Sequence, residues 1–265
     1  MPDIDRTILL EAISALTGST VKPFTKRRRS ILYDELTTEN FLPTVFSPTI
    51  YTDPGLPVLM HRLSLKAHSG DSQCDGASAL RKELFVDMEN FLDPRFDYDF
   101  RRRSDSSECT RGGEPYTRPW GWYRFALKVL DKYPDGNTWL GPNGWRSHSS
   151  FREWPVSFHG TSIEGAKGIA RSNYRAGGGQ LYGRGIYSTP DIDIAEHFTM
   201  FKKFESKNGR TYKVIMQNRI NPAKRVYTDE EDYWLIPVPE GTSAVQEKQI
   251  VEVSIRPYGI LIKEV

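Results

Sequence analysis

Two short motifs near the middle of the chain combine residue types that could bind a flat amide. His159-Gly160-Thr161 follows the apolar residue Phe158, and Gly185-Ile186-Tyr187 begins 26 residues after His159. A glycine at the end of a strand leaves its backbone open to pair with an amide, and a tyrosine can stack on the ring that carries the amide. The two motifs therefore predict a pocket for a planar amide such as nicotinamide.

Short strands and two helices are predicted to position these motifs. Alternating or β-branched residues predict three strands, at 156–158, 212–216 and 250–253. The first of these strands ends at His159. Apolar residues at helical spacing predict helices at 162–172 and from Asp191 or Asp193 through Phe201. The C-terminal part of the chain is thus expected to be β-rich with few helices.

The first 115 residues have a different character from the rest. Residues 4–16 carry apolar side chains at helical spacing before Gly18, which predicts a short amphipathic helix, whereas residues 37–115 are rich in Pro, Asp, Ser and Gly. Aromatic residues then become frequent, and Trp122 and Phe125 lie on one face of a predicted helix over 121–132, which favours a core role. We expect an N-terminal extension or small helical region of unknown role (1–115) and a second domain (116–265).

Composition limits the classes of function. The 36 basic and 34 acidic residues give a formal charge of +2, so nothing in the overall charge favours nucleic acid as a partner. Two cysteines are too few for a disulfide framework, and the five histidines have no metal-ligand spacing, so no metal is expected. A signal peptide and long apolar runs are missing from the sequence, which predicts an intracellular protein, cytoplasmic or nuclear, without a membrane partner.

The stretch from His159 through Phe198 resembles the donor half of the ADP-ribosyltransferase fold, in its poly(ADP-ribose) polymerase-like branch. The signature of that branch is a strand-end His-Gly-(Ser/Thr), a helix, and a glycine-rich Gly-(Lys/Arg)-Gly-Ile-Tyr, which here is Gly183-Arg184-Gly185-Ile186-Tyr187. The similarity covers about 155–265. It implies an α+β fold with antiparallel split β-sheets and flanking helices, preceded by a loop-rich N-terminal extension.

The resemblance also implies a set of residues that bind NAD, which would be the substrate: His159, Gly160, Thr161, Gly185, Tyr187 and Phe198. Gly160 would pair with the carboxamide, His159 would hydrogen-bond ribose hydroxyls in a positioning role, and Tyr187 would stack on the nicotinamide ring. Phe198 would close the ring sandwich from eleven positions further on. The small hydroxyl residue that often contacts the carboxamide falls at Ala195, so either Thr189 or nothing replaces it.

Transfer of ADP-ribose needs a carboxylate, because loss of nicotinamide leaves positive charge on the ribose. The family has a glutamate at the start of a late strand, and a strand over 246–253 would put Glu247 and Gln249 on the same face. Glu247 is the first candidate. Gln249 at that position would stabilise the charge less and would favour mono-transfer, weak hydrolysis or no reaction. Glu252 is the least favoured.

These implications predict an NAD-dependent ADP-ribosyltransferase that modifies a protein or nucleic acid acceptor, most simply by mono-ADP-ribosylation with release of nicotinamide. The alternative is a non-catalytic module that uses the same fold to bind NAD, ADP-ribose or a protein partner. A transferase that acts on an RNA 2′-phosphate shares the His-Gly-Thr opening. Such a transferase normally needs further arginines around the donor. Arg171, Arg175 and Arg184 are candidates for them, so this function stays a third alternative.

Overall fold

The protein has a mixed α+β fold, in which most strand pairs are antiparallel and helices are few, as the sequence predicts at this coarse level. The structure is a computed structural model and describes residues 4–17, 19–24, 36, 83–102, 109–142, 149–159, 185–198, 203–228, 233–239 and 241–265. Within these ranges, no helix is long and apolar enough to cross a membrane.

Four α-helices and thirteen strands make up the described part of the chain. The helices are α1 (Arg6–Thr17), α2 (Met88–Phe91), α3 (Ile192–Phe198) and α4 (Ala244–Ser254). The strands are β1 (Thr20–Pro23), β2 (Glu83–Val86), β3 (Tyr98–Asp99), β4 (Thr110–Arg111), β5 (Glu114–Pro115), β6 (Tyr123–Ala126), β7 (Val156–His159), β8 (Gly185–Ser188), β9 (Lys203–Glu205), β10 (Thr211–Ile220), β11 (Val226–Tyr227), β12 (Trp234–Pro237) and β13 (Ile255–Glu264). Three 3-10 turns lie at Pro94–Phe96, Phe100–Arg102 and Thr138–Leu140.

A six-stranded antiparallel sheet forms the centre of the fold. Its strands follow the order β3, β6, β13, β10 and β7, and β9 also pairs with β10. The two longest strands, β10 and β13, are almost completely buried, which fits strands that are covered on both faces. The strand predicted at 212–216 is confirmed as part of β10.

A second antiparallel sheet, with the order β11, β12 and β8, adjoins the first at a single described bridge. Phe158 of β7 and Thr189, which follows β8, exchange both backbone hydrogen bonds at 2.7 and 3.0 Å. The strand that the sequence predicts to end at His159 is confirmed as β7. This bridge brings the ends of β7 and β8 together.

The amphipathic helix predicted near the N-terminus is confirmed as α1. Its apolar residues Ile8, Leu9, Ala12, Ile13 and Leu16 are all buried in the core. Asp5 caps the helix, because its Oδ1 accepts hydrogen bonds from the backbone N–H groups of Thr7 and Ile8 at 2.8 and 3.0 Å. Helix α1 packs against β1, β9 and β10.

Described residues on the two sides of position 115 share one sheet. β3 pairs with β6 through Tyr98 and Arg124. Side chains of α1 and β2 also belong to the same buried cluster as those of β10 and β13. Described residues before and after position 115 therefore contribute to the same buried core.

The helix predicted over 121–132 is wrong, because residues 123–126 form strand β6. Instead of a helix, the segment forms a strand that lies between β3 and β13 and makes backbone hydrogen bonds to both. Positive backbone angles at Gly121 (φ 89°) and Asp131 (φ 59°) also interrupt a helix at both ends of the segment. The predicted core role of the aromatics is confirmed, since Trp122 and Phe125 are buried.

The strand predicted at 250–253, within the stretch 246–253, is also wrong, because these residues belong to helix α4. Ser243 caps this helix: its Oγ accepts from the backbone N–H of Gln246, and the Gln246 side chain accepts from the backbone N–H of Ser243. Such a reciprocal capping box favours a helix start. The late strand begins only at Ile255, where α4 ends.

Candidate functional site

His159 is the last residue of β7, and its ring faces the backbone of β8. The side chain is largely buried, and Nδ1 lies 2.7 Å from the carbonyl oxygen of Tyr187. Since a carbonyl oxygen can only accept, Nδ1 donates this hydrogen bond. The contact orients the imidazole, and in the neutral form of a ring with this Nδ1 proton Nε2 is the acceptor nitrogen.

The contact between His159 and Tyr187 joins the two motifs that the sequence predicts to form one pocket. The bridge between Phe158 and Thr189 supports the contact on the side of the two strand ends. Along β8, Ile186 and Ser188 are buried, whereas Tyr187 between them is half-buried. Strand alternation thus sends the Tyr187 side chain to the face opposite its two neighbours.

Gly185 has a steric reason to be glycine. A Cβ at this position would lie 2.2 Å from the carbonyl oxygen of Ile236 and 2.6 Å from Cδ1 of Leu235. The close approach of β12, in which Pro237 pairs with Gly185, requires the absence of a side chain. Gly185 therefore sets the spacing between β8 and β12, and this role is independent of any ligand.

Three residues separate β8 from helix α3, and the helix predicted from Asp191 or Asp193 is confirmed in its described part. Asp191 Oδ1 accepts from the backbone N–H of Asp193 at 2.7 Å, which caps the helix start. Phe198 is the last residue of α3. Ala195 is fully buried, and Oγ1 of Thr189 accepts from the backbone N–H of Asp191 at 3.1 Å, so this hydroxyl oxygen is part of the turn into α3.

Other members of the predicted site lie outside the described residues. They are Gly160, Thr161, the helix predicted at 162–172, and the arginines Arg171, Arg175 and Arg184. Of the predicted NAD-binding residues, the structure thus brings His159, Gly185 and Tyr187 together on β7 and β8.

Glu247 and Gln249 do not share a face, contrary to the strand-based prediction. Two residues in a helix are separated by roughly 200° around the axis. Glu247 is half-buried and lies on the same side as the buried residues Val251 and Ser254, whereas Gln249 is exposed. Neither residue stands at the start of a strand. The pattern in which the family glutamate opens a late strand is therefore not reproduced.

Gln249 instead lines an open groove of about 450 Å³ between α4 and the segment that follows β12. The groove is uncharged, and its lining residues are Pro239, Gly241, Thr242, Gln246, Gln249 and Ile250. The strand that precedes the groove in the chain, β12, ends with Pro237 opposite Gly185 of β8. The groove thus begins two residues past the strand end that lies beside β8.

A buried ionic cluster, which the sequence did not reveal, anchors the start of β7. The Glu153 carboxylate accepts from the backbone N–H of Gly112 at 3.1 Å and lies 3.3 Å from Nη2 of Arg219. Nη1 of Arg219 donates to the carbonyl oxygen of Trp154 at 2.7 Å. Burial lowers the pKa of the Arg219 guanidinium, and the nearby Glu153 charge opposes that shift.

A second ionic cluster, also missed at the sequence level, ties α3 to the central sheet. Glu196 of α3 accepts from Nζ of Lys213 at 2.7 Å and from Nζ of Lys263 at 2.8 Å. Burial raises the pKa of the Glu196 carboxyl, but the two lysines lower it more, so it lies below its ordinary value of 4.5. No local pattern predicts this cluster, since the three residues come from separate elements.

Among the described residues, no three His, Cys, Asp or Glu side chains come together in a way that could hold a metal ion. In comparisons with known proteins, no family and no curated protein matches this chain.

Proposed function

We propose that the protein is an NAD-dependent ADP-ribosyltransferase with a poly(ADP-ribose) polymerase-like fold, which transfers a single ADP-ribose to a protein or nucleic acid and releases nicotinamide. The observation that carries the proposal is the hydrogen bond from His159 Nδ1 to the Tyr187 carbonyl. It couples the strand-end histidine directly to the strand that presents the tyrosine. The adjoining antiparallel sheets are compatible with the split-sheet arrangement that the resemblance implies.

In this proposal, His159 and Tyr187 hold the nicotinamide half of NAD. With Nδ1 engaged by the backbone, Nε2 is the nitrogen that would accept from a ribose hydroxyl, and the histidine orients the substrate without removing a proton from it. The half-buried Tyr187 ring would stack on the nicotinamide, and Phe198 would close the ring sandwich, as the family resemblance implies. The backbone of Gly160 would pair with the carboxamide, as the family resemblance implies.

The chemical step breaks the bond between the ribose C1′ and the nicotinamide nitrogen. Nicotinamide leaves with the bonding electrons, the acceptor nucleophile attacks C1′, and the acceptor's proton passes to solvent. The ribose carries positive charge on the way, which a carboxylate would stabilise. Of the two candidates, Gln249 is exposed whereas Glu247 is half-buried on the core side of α4, and we propose Gln249 for the ribose-facing position. A neutral amide there supports slow mono-transfer.

The alternative, a non-catalytic NAD- or ADP-ribose-binding module, is favoured by one specific observation. Residues 244–254 form a helix, so neither candidate begins a strand as the family glutamate does. Such a protein would retain the nicotinamide pocket and would lack transfer.

Labelled NAD distinguishes the two functions. We expect wild-type protein to release free nicotinamide and His159→Ala to release much less, with thermal unfolding used to verify that the variant is folded. Gln249→Glu should raise the rate, because it restores a carboxylate, whereas Glu247→Gln should leave it nearly unchanged. Equal release by wild type and His159→Ala would refute the enzyme assignment.

Calorimetry with a benzamide-like ligand tests the pocket separately from catalysis. Tyr187→Ala should weaken binding by about 1–3 kcal/mol, which is the scale of losing one stacked aromatic. Tyr98→Ala serves as the matched control, because Tyr98 is an exposed tyrosine of the edge strand β3. Binding that depends on Tyr187 without any nicotinamide release would favour the non-catalytic module. No binding at millimolar ligand would contradict both functions.

A further inference from the structure

Two polar side chains lie beside His159 on one face of the central sheet. Ser157 precedes His159 by two positions in β7, so strand alternation puts both side chains on the same face. Asn218 of β10 pairs directly with Ser157, and directly opposite residues point to the same face with their Cβ atoms about 4.5–5.5 Å apart. The Asn218 side chain is therefore next to Ser157 and diagonal to His159.

A third polar side chain, that of Ser188, comes from β8. The antiparallel bridge between Phe158 and Thr189 puts the residue after Phe158 opposite the residue before Thr189. These two residues are His159 and Ser188. The hydrogen bond of 2.7 Å between His159 Nδ1 and the carbonyl oxygen of Tyr187 lies at the same place. Strands β7, β8 and β10 thus each contribute one polar side chain beside the histidine.

Ser157, Ser188 and Asn218, called the polar cluster below, carry hydrogen-bonding atoms that find no partner within the part of the chain that the structure describes. These atoms are Oγ of both serines and both Oδ1 and Nδ2 of Asn218. Ser157 and Asn218 are fully buried, and Ser188 is nearly so. Buried polar groups in proteins are nearly always hydrogen-bonded, because an unsatisfied donor or acceptor is costly. Four such atoms on neighbouring strands indicate a site for a polar ligand.

The chemistry of the polar cluster fits a hydroxyl group. The Asn218 amide offers donors at Nδ2 and an acceptor at Oδ1, and each serine hydroxyl can donate and accept, as a ligand hydroxyl can. The cluster has no charged side chain and therefore offers a buried anion no counter-charge. Exposure rises from 0% at Ser157 and Asn218 through 4% at Ser188 to 9% at His159, so the approach from solvent lies on the histidine side.

We propose that the polar cluster binds a ribose hydroxyl of NAD and extends the site that begins at His159. The inference rests on the proposed function, in which Nε2 of His159 accepts from a ribose hydroxyl, and it adds three binding residues to that site. A ligand without a hydroxyl leaves the cluster unsatisfied, and sites built to hydrogen-bond a hydroxyl discriminate strongly against such ligands. The cluster thus favours ligands that carry a ribose over ligands that carry the aromatic amide alone.

The test compares ADP-ribose with a benzamide-like ligand by calorimetry. ADP-ribose carries the ribose hydroxyls and has no nicotinamide bond to cleave, whereas the benzamide-like ligand has no ribose. Asn218→Leu replaces the amide by an apolar group of similar branching, and Ser157→Ala/Ser188→Ala removes only two hydroxyl oxygens. Each variant should bind ADP-ribose about three- to thirtyfold more weakly, while its affinity for the benzamide-like ligand should change less than about twofold. The serine double variant carries the test if Asn218→Leu does not fold.

Thermal unfolding of each variant separates a ligand site from a structural one. Removing hydrogen-bonding groups that have no protein partner should leave the melting temperature unchanged or raise it, because their desolvation cost disappears. The matched control is Ser206→Ala. Ser206 is as buried as Ser188, but its Oγ accepts from the backbone N–H of Asn208 at 3.5 Å, and it lies at the opposite end of β10 from Asn218. This control should bind both probes like wild type.

The outcomes separate this inference from the function on which it rests. If wild type binds neither probe, both are overturned. If wild type binds only the benzamide-like ligand, or if the variants bind ADP-ribose like wild type, the nicotinamide pocket stands and the ribose role of the polar cluster is refuted. Equal losses for both probes also refute that role. A selective loss for ADP-ribose at unchanged or raised stability supports it, because a structural cluster would lose stability and affect both probes.

Discussion

Replacing Glu153 by glutamine should destabilise the protein far more than the same change at the surface. The Glu153 side chain is completely buried, and that of its partner Arg219 is 1% exposed. Arg111 approaches the same carboxylate at 3.5 Å, and the backbone N–H of Gly112 donates to it at 3.1 Å. In Glu153→Gln, the amide oxygen can still accept from Gly112. The guanidinium of Arg219, however, loses its charged partner in a place that water does not reach.

The expected magnitude follows from this geometry. Removing one partner of a buried ion pair costs about 3–5 kcal/mol, because the other charge stays buried without compensation. The contacts of Glu153 with Arg219 and Arg111, at 3.3 and 3.5 Å, are longer than the 2.7–2.9 Å of strong charge-assisted bonds. The lower end, about 3 kcal/mol, therefore applies. At about 2–4 °C per kcal/mol for a domain of this size, the melting temperature should fall by roughly 6–12 °C.

Urea unfolding followed by tryptophan fluorescence measures the free energy of unfolding, and a thermal scan measures the melting temperature. The matched control is Glu264→Gln. Glu264 pairs with Arg210 at 2.9 Å, but both side chains are more than 40% exposed, so its loss should cost less than about 1 kcal/mol. Equal losses in the two variants would refute the argument from burial.

Three further changes test separate features. Gly185→Ala should lower the free energy of unfolding by about 1–3 kcal/mol in urea titrations, because the alanine Cβ would overlap the carbonyl oxygen of Ile236. Ser243→Ala should cost about 1 kcal/mol in the same assay, because α4 loses its capping hydroxyl. The stability that Glu196 contributes is present above pH 4.5 and is lost as the pH falls through its lowered folded pKa. Melting curves of wild type and Glu196→Gln should therefore differ at pH 6 and converge as the pH falls below 4.5.

Local sequence patterns predicted the strands and helices that carry the motifs. The alternation before His159, the helical spacing in α1 and the Asp191 cap are signals within a few residues, and each corresponds to an observed element. The spacing of apolar residues around Trp122 and Phe125 fits a helix as well as the other patterns fit their elements. Pairing with β13, however, makes this segment a strand. Such pairing is set by residues far away in the chain and is invisible to a local pattern.

The mistake at α4 had a visible signal in the sequence. Ser243 and Gln246 have the spacing of a capping box, which favours a helix, whereas the β-branched residues Ile250, Val251 and Val253 favour a strand. Glu247 and Gln249 share a face in a strand but not in a helix, so the predicted carboxylate position depends on which of the two structures forms. The cluster around Glu196 could not be predicted, because it depends on the register of β10 and β13.

The place of β13 in the central sheet has a consequence for how the protein folds. β6 pairs with β13 across about 130 residues of intervening sequence, and it is β13 that connects β6 and β3 to β10 and β7. Contacts so distant in sequence slow folding, because a large loop must close before they form. On the ribosome, β6 must wait for the synthesis of β13, and its Phe125, which is buried in the folded protein, must be kept from aggregating until then. Expression at lower temperature or with a chaperone should therefore raise the yield of folded protein.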